Sequence, residues 1–294
     1  MRDIRKFYLQ NAAGARIDLN GVEGIYATDP SGLGEELSPT YGNLTRGFFS
    51  VLADAAEPQN PVGLTINFTR RATAYAQYQD LARWIAAAGD GLLLLYTPYG
   101  TTVYYRRVRL KSLKKTERNG VGWLACPAAF TPLSPWYRPT AVQATMGAED
   151  ANAMRYDSNF RYDQARYFGS HSPTYSALIQ PAGDIPGSIE LSFVGTATNP
   201  AITLNGLETG TVYGRCAIAQ SILSGDELQY SSSPRDSYCR ILRSGSLISL
   251  DNALDPSTDP FISVPLGEPC VLTMSGTAID GTAQLKINYY YRTI

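Results

Sequence analysis

The chain has 294 residues, a formal net charge of −1 and a pI near 5.9, with 44% hydrophobic and only 17% charged residues. That length exceeds the usual domain of about 100–200 residues and points to two domains. The near-zero charge excludes a global electrostatic footprint for nucleic acid or an anionic membrane. The hydrophobic content excludes disorder along the whole chain; with 20 Tyr, 26 Gly and 18 Pro to supply strand surfaces and turns, a mainly β protein is expected.

Met1 to Phe7 carries basic residues with no apolar run behind them, so no ordinary secretory leader is expected. No segment approaches the ~20 apolar residues of a membrane helix, so folding in a cytoplasm without membrane insertion follows. Asn11 to Gly14 reads as a hairpin turn, and Gly32 and Gly34 permit close backbone approaches that side chains block. Val62, Leu64, Ile66 and Phe68 alternate with Gly63, Thr65, Asn67 and Thr69, the period of a strand with one buried face. The period then changes. Tyr78, Leu81, Ala82 and Ile85 predict one amphipathic helix over 74–88, stopped by Gly89. Leu92 to Tyr96 is sized for a buried strand. Residues 102–118 and 121–130 flank Asn119-Gly120, which predicts a hairpin closed by a type I′ turn. On its first arm Arg107, Arg109 and Lys111 share one face, opposite Val108 and Leu110.

The prolines at 132, 135 and 139 are expected to interrupt pairing and mark the domain boundary, giving domains of 1–136 and 137–294, with 137–170 as a connector or loop-rich edge. From Tyr175 on, strands recur between turn residues. Ile189, Leu191 and Phe193 alternate with polar neighbours, as do Leu285, Ile287 and Tyr289, so the second half reads as an antiparallel β-sandwich.

Chemistry-bearing constellations are sparse. Cys126, Cys216, Cys239 and Cys270 form no CxxC and read as buried free thiols, so no metal site or cofactor is expected. His171 is the single histidine, and no GxSxG elbow accompanies it. The acidic pairs Glu35-Glu36, Glu149-Asp150 and Asp184 with Glu190 read as solvated surface rather than as a glycosidase dyad. The run Arg106 to Lys111, continuing through Lys114, Lys115 and Arg118, reads as a surface or subunit contact rather than a nucleic-acid site. Gly32-Leu33-Gly34 lacks the spacing of a nucleotide-binding loop.

Two stretches carry a resemblance: Leu9-Gln10-Asn11-Ala12-Ala13-Gly14-Ala15-Arg16-Ile17-Asp18-Leu19, and Pro30-Ser31-Gly32-Leu33-Gly34. With the 62–69 strand, the 74–88 helix, Ser134-Pro135-Trp136-Tyr137, Asn199-Pro200 to Gly206, Ser224 to Leu228 and Phe261 to Gly267, the order is similar to that of siphophage distal tail proteins. The resemblance implies an N-terminal β-sandwich or split-barrel-like ring domain with one helix, followed by a galectin-like antiparallel β-sandwich. It implies a structural, non-enzymatic role in the virion tail tip: a homohexameric ring around a channel for DNA, joining the tail tube to the tip. The implied partners are further copies of the chain, the tail-tube protein, the tail-associated hub protein, and the tape-measure and receptor-binding proteins. Assembly is expected in the bacterial host cytoplasm, with no sequence-specific nucleic-acid contact. On this reading Pro30, Gly32, Leu33 and Gly34 and the basic face of Arg107, Arg109 and Lys111 are the candidate ring or partner interface, because neither belongs naturally to a core. The alternative is a carbohydrate-binding module for host-surface receptors, with Trp123, Trp136 and Tyr230 as stacking platforms.

Overall fold

A computed structural model describes residues 5–34, 36–43, 49–57, 61–142, 145–146, 174–292 and 294. The chain forms two compact units, Met1–Arg138 with Tyr291–Ile294, and Pro139–Tyr290.

The first unit contains β1 (Lys6–Gln10), β2 (Arg16–Asp18), β3 (Ile25–Ser31), β4 (Glu36–Asn43), β5 (Phe49–Glu57), β6 (Val62–Phe68), α1 (Ala74–Ala88), β7 (Leu93–Thr97), β8 (Tyr104–Leu113) and β9 (Leu124–Pro132), and it takes in the start of β10 (Trp136–Val142). Two antiparallel sheets share β8. Its first half closes the order β2-β1-β7-β8, and its second half closes β3-β6-β9-β8. The alternation in β6 points Val62, Leu64, Ile66 and Phe68 into a core with Phe7, Leu9, Leu94, Val108, Phe130 and Trp136. Helix α1 covers this core with Ala74, Leu81 and Ile85, and the Tyr78 hydroxyl donates to the Leu113 carbonyl at 3.1 Å.

The Asn11 turn forms as expected: Gly14 N–H donates to the Asn11 carbonyl at 3.0 Å and Ala15 N–H to Asn11 Oδ1 at 2.9 Å. The second hairpin departs from expectation. Its arms are 104–113 and 124–132, and the left-handed residue is Gly122 (φ 86°) rather than Asn119 or Gly120. Asn119 Oδ1 accepts from the N–H groups of Val121 and Trp123, and this side-chain turn displaces the two-residue type I′ form. The proline-rich stretch does not interrupt pairing either. Val108 pairs Pro132 and Tyr137 pairs Tyr105: Pro132 ends β9, Pro135 sits in the tight 133–135 connection, and Pro139 is taken up within β10.

The second unit contains the rest of β10, β11 (Thr145–Met146), β12 (Tyr175–Ile179), β13 (Ile185–Gly206), β14 (Val212–Ala217), β15 (Glu227–Ser233), β16 (Asp236–Arg243), β17 (Ser246–Ser249), β18 (Ser263–Val264) and β19 (Cys270–Tyr291, to Tyr290). The long strands β13 and β19 run through both of its sheets. One sheet has the order β17-β16-β15-β13-β19 and the other β11-β12-β19-β13-β14. The strands bend where Gly195 pairs Gly281; a Cβ on either would collide with the opposite main chain, at the Asp280 or Val194 carbonyl. The sheets meet face to face, with the Tyr175 and Phe193 rings edge-on at 5.6 Å. Ile189, Leu191, Phe193, Leu285 and Ile287 are buried between them, as their alternation predicts.

Candidate functional site

The candidate interface residues separate into two places on the first unit. Pro30 lies in β3, and Gly32 follows it with φ 70° and its Cα against the Pro61 carbonyl, so no side chain fits there. Leu33 packs against the core rather than standing clear of it, because the turn at Gly32 folds it back; Gly34 is exposed. On β8, Arg109 and Lys111 are exposed and Arg107 is half-buried. Arg109 pairs loosely with Asp90 at 3.5 Å, both largely solvated. Two strands, β6 and β9, lie between the 30–34 segment and β8, a separation of about 14 Å at the usual strand spacing. The structure therefore does not merge the two segments into one patch.

Arg106 is not part of the exposed basic run. It is 7% exposed, points inward beside Val108, donates from Nε to the Ser134 carbonyl at 3.1 Å and lies over the Trp136 ring at 5.3 Å. Burial lowers its pKa to about 10, so it remains a cation at neutral pH. Farther along, Lys115 and Arg118 sit over the Tyr75 ring at 5.1 and 4.7 Å, and the Tyr75 hydroxyl donates to Glu117 at 2.6 Å. The hydrogen bond to the Glu117 carboxylate raises the Tyr75 pKa.

Between β3 and β6 the chain makes an excursion that sequence reading missed. Strands β4 and β5 pair over eight positions, from Glu36 with Glu57 to Asn43 with Phe49, and among the described residues join no other sheet. A two-stranded ribbon is marginal in water by itself, and unpaired main-chain edges are the kind of surface to which another strand adds.

The second unit carries a groove of about 830 Å³ on the outward face of β16, β15, β13 and β19, walled by Ala141 and Val142. Its floor is a lattice of paired polar groups. Glu190 accepts from Lys286 Nζ at 2.7 Å and from Asn288 Nδ2 at 2.6 Å. Ser192 donates to Glu227 at 2.8 Å, and Arg240 Nε donates to Gln229 Oε1 at 2.9 Å. The Arg240 guanidinium lies 3.9 Å from the Tyr238 ring centroid, and partial burial raises the Tyr238 pKa, keeping its hydroxyl a donor. Strand alternation exposes Glu190, Ser192 and Lys286 to one face, but the pairing of positions 96 residues apart leaves no signal in a single sequence.

None of the aromatics expected as sugar platforms presents an open ring face in the groove, although Tyr230 borders it. Trp136 and Tyr230 are 0% and 1% exposed in the two cores, and Trp123 stands edge-on to Tyr26 at 6.0 Å; large flat side chains serve better as core filling here. Both Glu190 oxygens are occupied by Lys286 and Asn288, which removes it from a catalytic pair with Asp184. His171, Glu35, Glu149 and Asp150, with most of the 137–170 stretch, lie outside the described residues. All four cysteines are buried with free thiols. Among the described residues no group of three or more His, Cys, Asp or Glu is placed to hold a metal, and no helix is long and apolar enough to cross a membrane.

Solved structures share this fold along nearly the whole chain. A chain of the phage P2 baseplate in its activated conformation with calcium superposes with a TM-score of 0.67 at 13% identity, covering 99% of this chain and 100% of that one. The P2 baseplate with strontium superposes equally well. The Dit (gp 19.1) protein of SPP1, described as a paradigm of the hub adsorption apparatus in phages infecting Gram-positive bacteria, gives 0.58 at 11% identity, covering 96% and 98%. No curated protein matches the chain by sequence. The fold of the chain is therefore the one that these phage P2 and SPP1 chains adopt. Residues 6–133 match the family model of the distal tail protein N-terminal domain, so the first unit carries that domain.

Proposed function

We propose that copies of this chain close into a ring, a hexamer by family likeness, that joins the tail tube to the tip or baseplate and leaves a central passage for DNA. The observation that carries this reading is the β4–β5 ribbon within the distal tail domain: eight paired positions that, among the described residues, join no other sheet. A ribbon of that kind needs a neighbour to cover it. A cyclic ring also needs two different surfaces on each subunit. Gly34, at the exposed end of the 30–34 segment, and the Arg107, Arg109 and Lys111 face mark two such surfaces. The flanking partners on this reading are the tail-tube protein, the hub protein, the tape-measure protein and receptor-binding proteins, within a virion tail tip assembled in the host cytoplasm.

Native mass spectrometry and negative-stain imaging of the full chain test the proposal. The expected result is a closed ring with a central opening, and replacement of residues 36–57 by a short Gly-Ser link is expected to yield monomers with unchanged circular dichroism outside the ribbon's contribution. A full-length protein that stays monomeric at high concentration overturns the ring.

A further inference from the structure

We infer that Arg106, Trp136 and Arg138 together form a receptor for one carboxylate group. A single copy of the first unit presents all three, so the inference does not rest on the ring.

Strand pairing builds the site. Tyr105 of β8 pairs antiparallel with Tyr137 of β10, which sets Arg106 opposite Trp136 and Tyr104 opposite Arg138. Residues two apart on a strand share a face at a spacing of about 7 Å. Arg106 therefore turns inward with Val108 and meets Trp136, whose ring it covers at 5.3 Å, and Arg138 follows Trp136 on the same face.

The polar atoms these three side chains bring together are all donors. Arg106 Nε donates to the Ser134 carbonyl at 3.1 Å, and its two Nη groups meet no acceptor among the described residues. Trp136 Nε1 and Arg138 Nε are both buried, and neither has a hydrogen-bond partner there. Neither guanidinium pairs with a carboxylate among the described residues. Orphaned buried donors are rare in folded proteins, and a buried cation without a counter-ion is costly. Burial alone lowers the Arg106 pKa, with no anion acting against it.

The class of ligand follows from these groups. Water can accept from the indole and from Arg138 Nε, but it leaves both positive charges uncompensated. A carboxylate accepts at two oxygens, supplies the missing charge and matches the planar fork of a guanidinium. The site is also narrow: Trp136 is 0% exposed, Arg106 is 7% exposed and Arg138 is half-buried. The tip of a small acid, or of an Asp or Glu side chain, reaches that depth. A phosphate within a nucleic-acid strand carries bulk on two sides and does not.

The test has two arms, because a small free acid and an acidic side chain of a neighbouring copy present the same group. The first follows thermal unfolding of the full chain in sodium acetate against sodium chloride at equal ionic strength. A rise of about 4 °C in the first-unit transition at roughly ten times the acetate Kd, absent from Arg106→Met and from Arg138→Gln, assigns the site to a free acid. The second arm compares native masses of the same three proteins in chloride. Assembly weakened at least about tenfold in both variants, with near-UV circular dichroism unchanged, assigns it to a neighbour's side chain. A monomeric chain that takes up acetate keeps the inference while the ring falls. An acetate effect that survives either substitution, a response to a DNA oligonucleotide alone, or no acetate effect together with parental assembly in either variant overturns it.

Discussion

Arg106 in the first unit and Asp226 in the second are both buried charges, 7% and 3% exposed, but they are held differently. Arg106 meets a carbonyl and an aromatic face and no carboxylate. Asp226 takes both Nε and Nη2 of Arg243, the latter at 2.6 Å, and also accepts from the Leu223 N–H at 2.9 Å, tying the turn before β15 to the end of β16. The first arrangement anchors a connection through packing. The second stakes a turn on an ion pair that must stay intact, because removing one partner strands the other.

Asp226→Ala is the strongest way to probe the difference. It is expected to cost the second unit about 3 kcal/mol, the low end for a buried pair because Arg243 is one-third exposed and regains water, read by urea unfolding of the intact chain. Next comes Gly32→Val, which places a Cβ against the Pro61 carbonyl at a left-handed backbone position. About 2–3 kcal/mol of first-unit stability is expected to go, read by thermal unfolding of the intact chain. Acid then separates the units with a smaller effect. The Arg243 hydrogen bonds hold the Asp226 carboxyl below its ordinary value. The pair's contribution is therefore whole above the unfolded carboxylate range near about 4 and is lost as pH falls through the lower folded value. Asp255, held low by Ser257, and Glu268, held low by the Tyr213 hydroxyl, lie in the same unit. Calorimetry between neutral pH and pH 3 is thus expected to show the second-unit transition falling further than the first. Arg106→Met should be the mildest change, within about 1 kcal/mol; a cost equal to that of Asp226→Ala would break the contrast.

Local periodicity carried most of the fold. The 62–68 strand and the 74–88 helix are where the alternation of Val62 to Phe68 and the spacing of Tyr78 to Ile85 put them. Buried alternation likewise marked Ile189 to Phe193. Where side-chain chemistry competes with the backbone, local reading failed. Asn119 looked like the first residue of a two-residue turn, but its carboxamide captures two later N–H groups and shifts the left-handed position to Gly122. Arg106 looked like one of a run of surface cations, but strand parity turns it inward with Val108. The groove was illegible for another reason: Glu190, Gln229, Arg240 and Lys286 come from four strands whose register is set by the bent pair β13 and β19, not by neighbours in the chain. The 36–57 ribbon gave no clear signal either, since its sequence alternates weakly and contains Pro39.

The bend at Gly195 and Gly281 reaches beyond local geometry. Two polypeptide segments of 22 residues each belong to both layers of the second unit, so neither layer can be peeled off while the other stays shut. Pulling on this unit must unzip one continuous seam around its corner. The two layers of this unit are therefore expected to open together rather than one after the other.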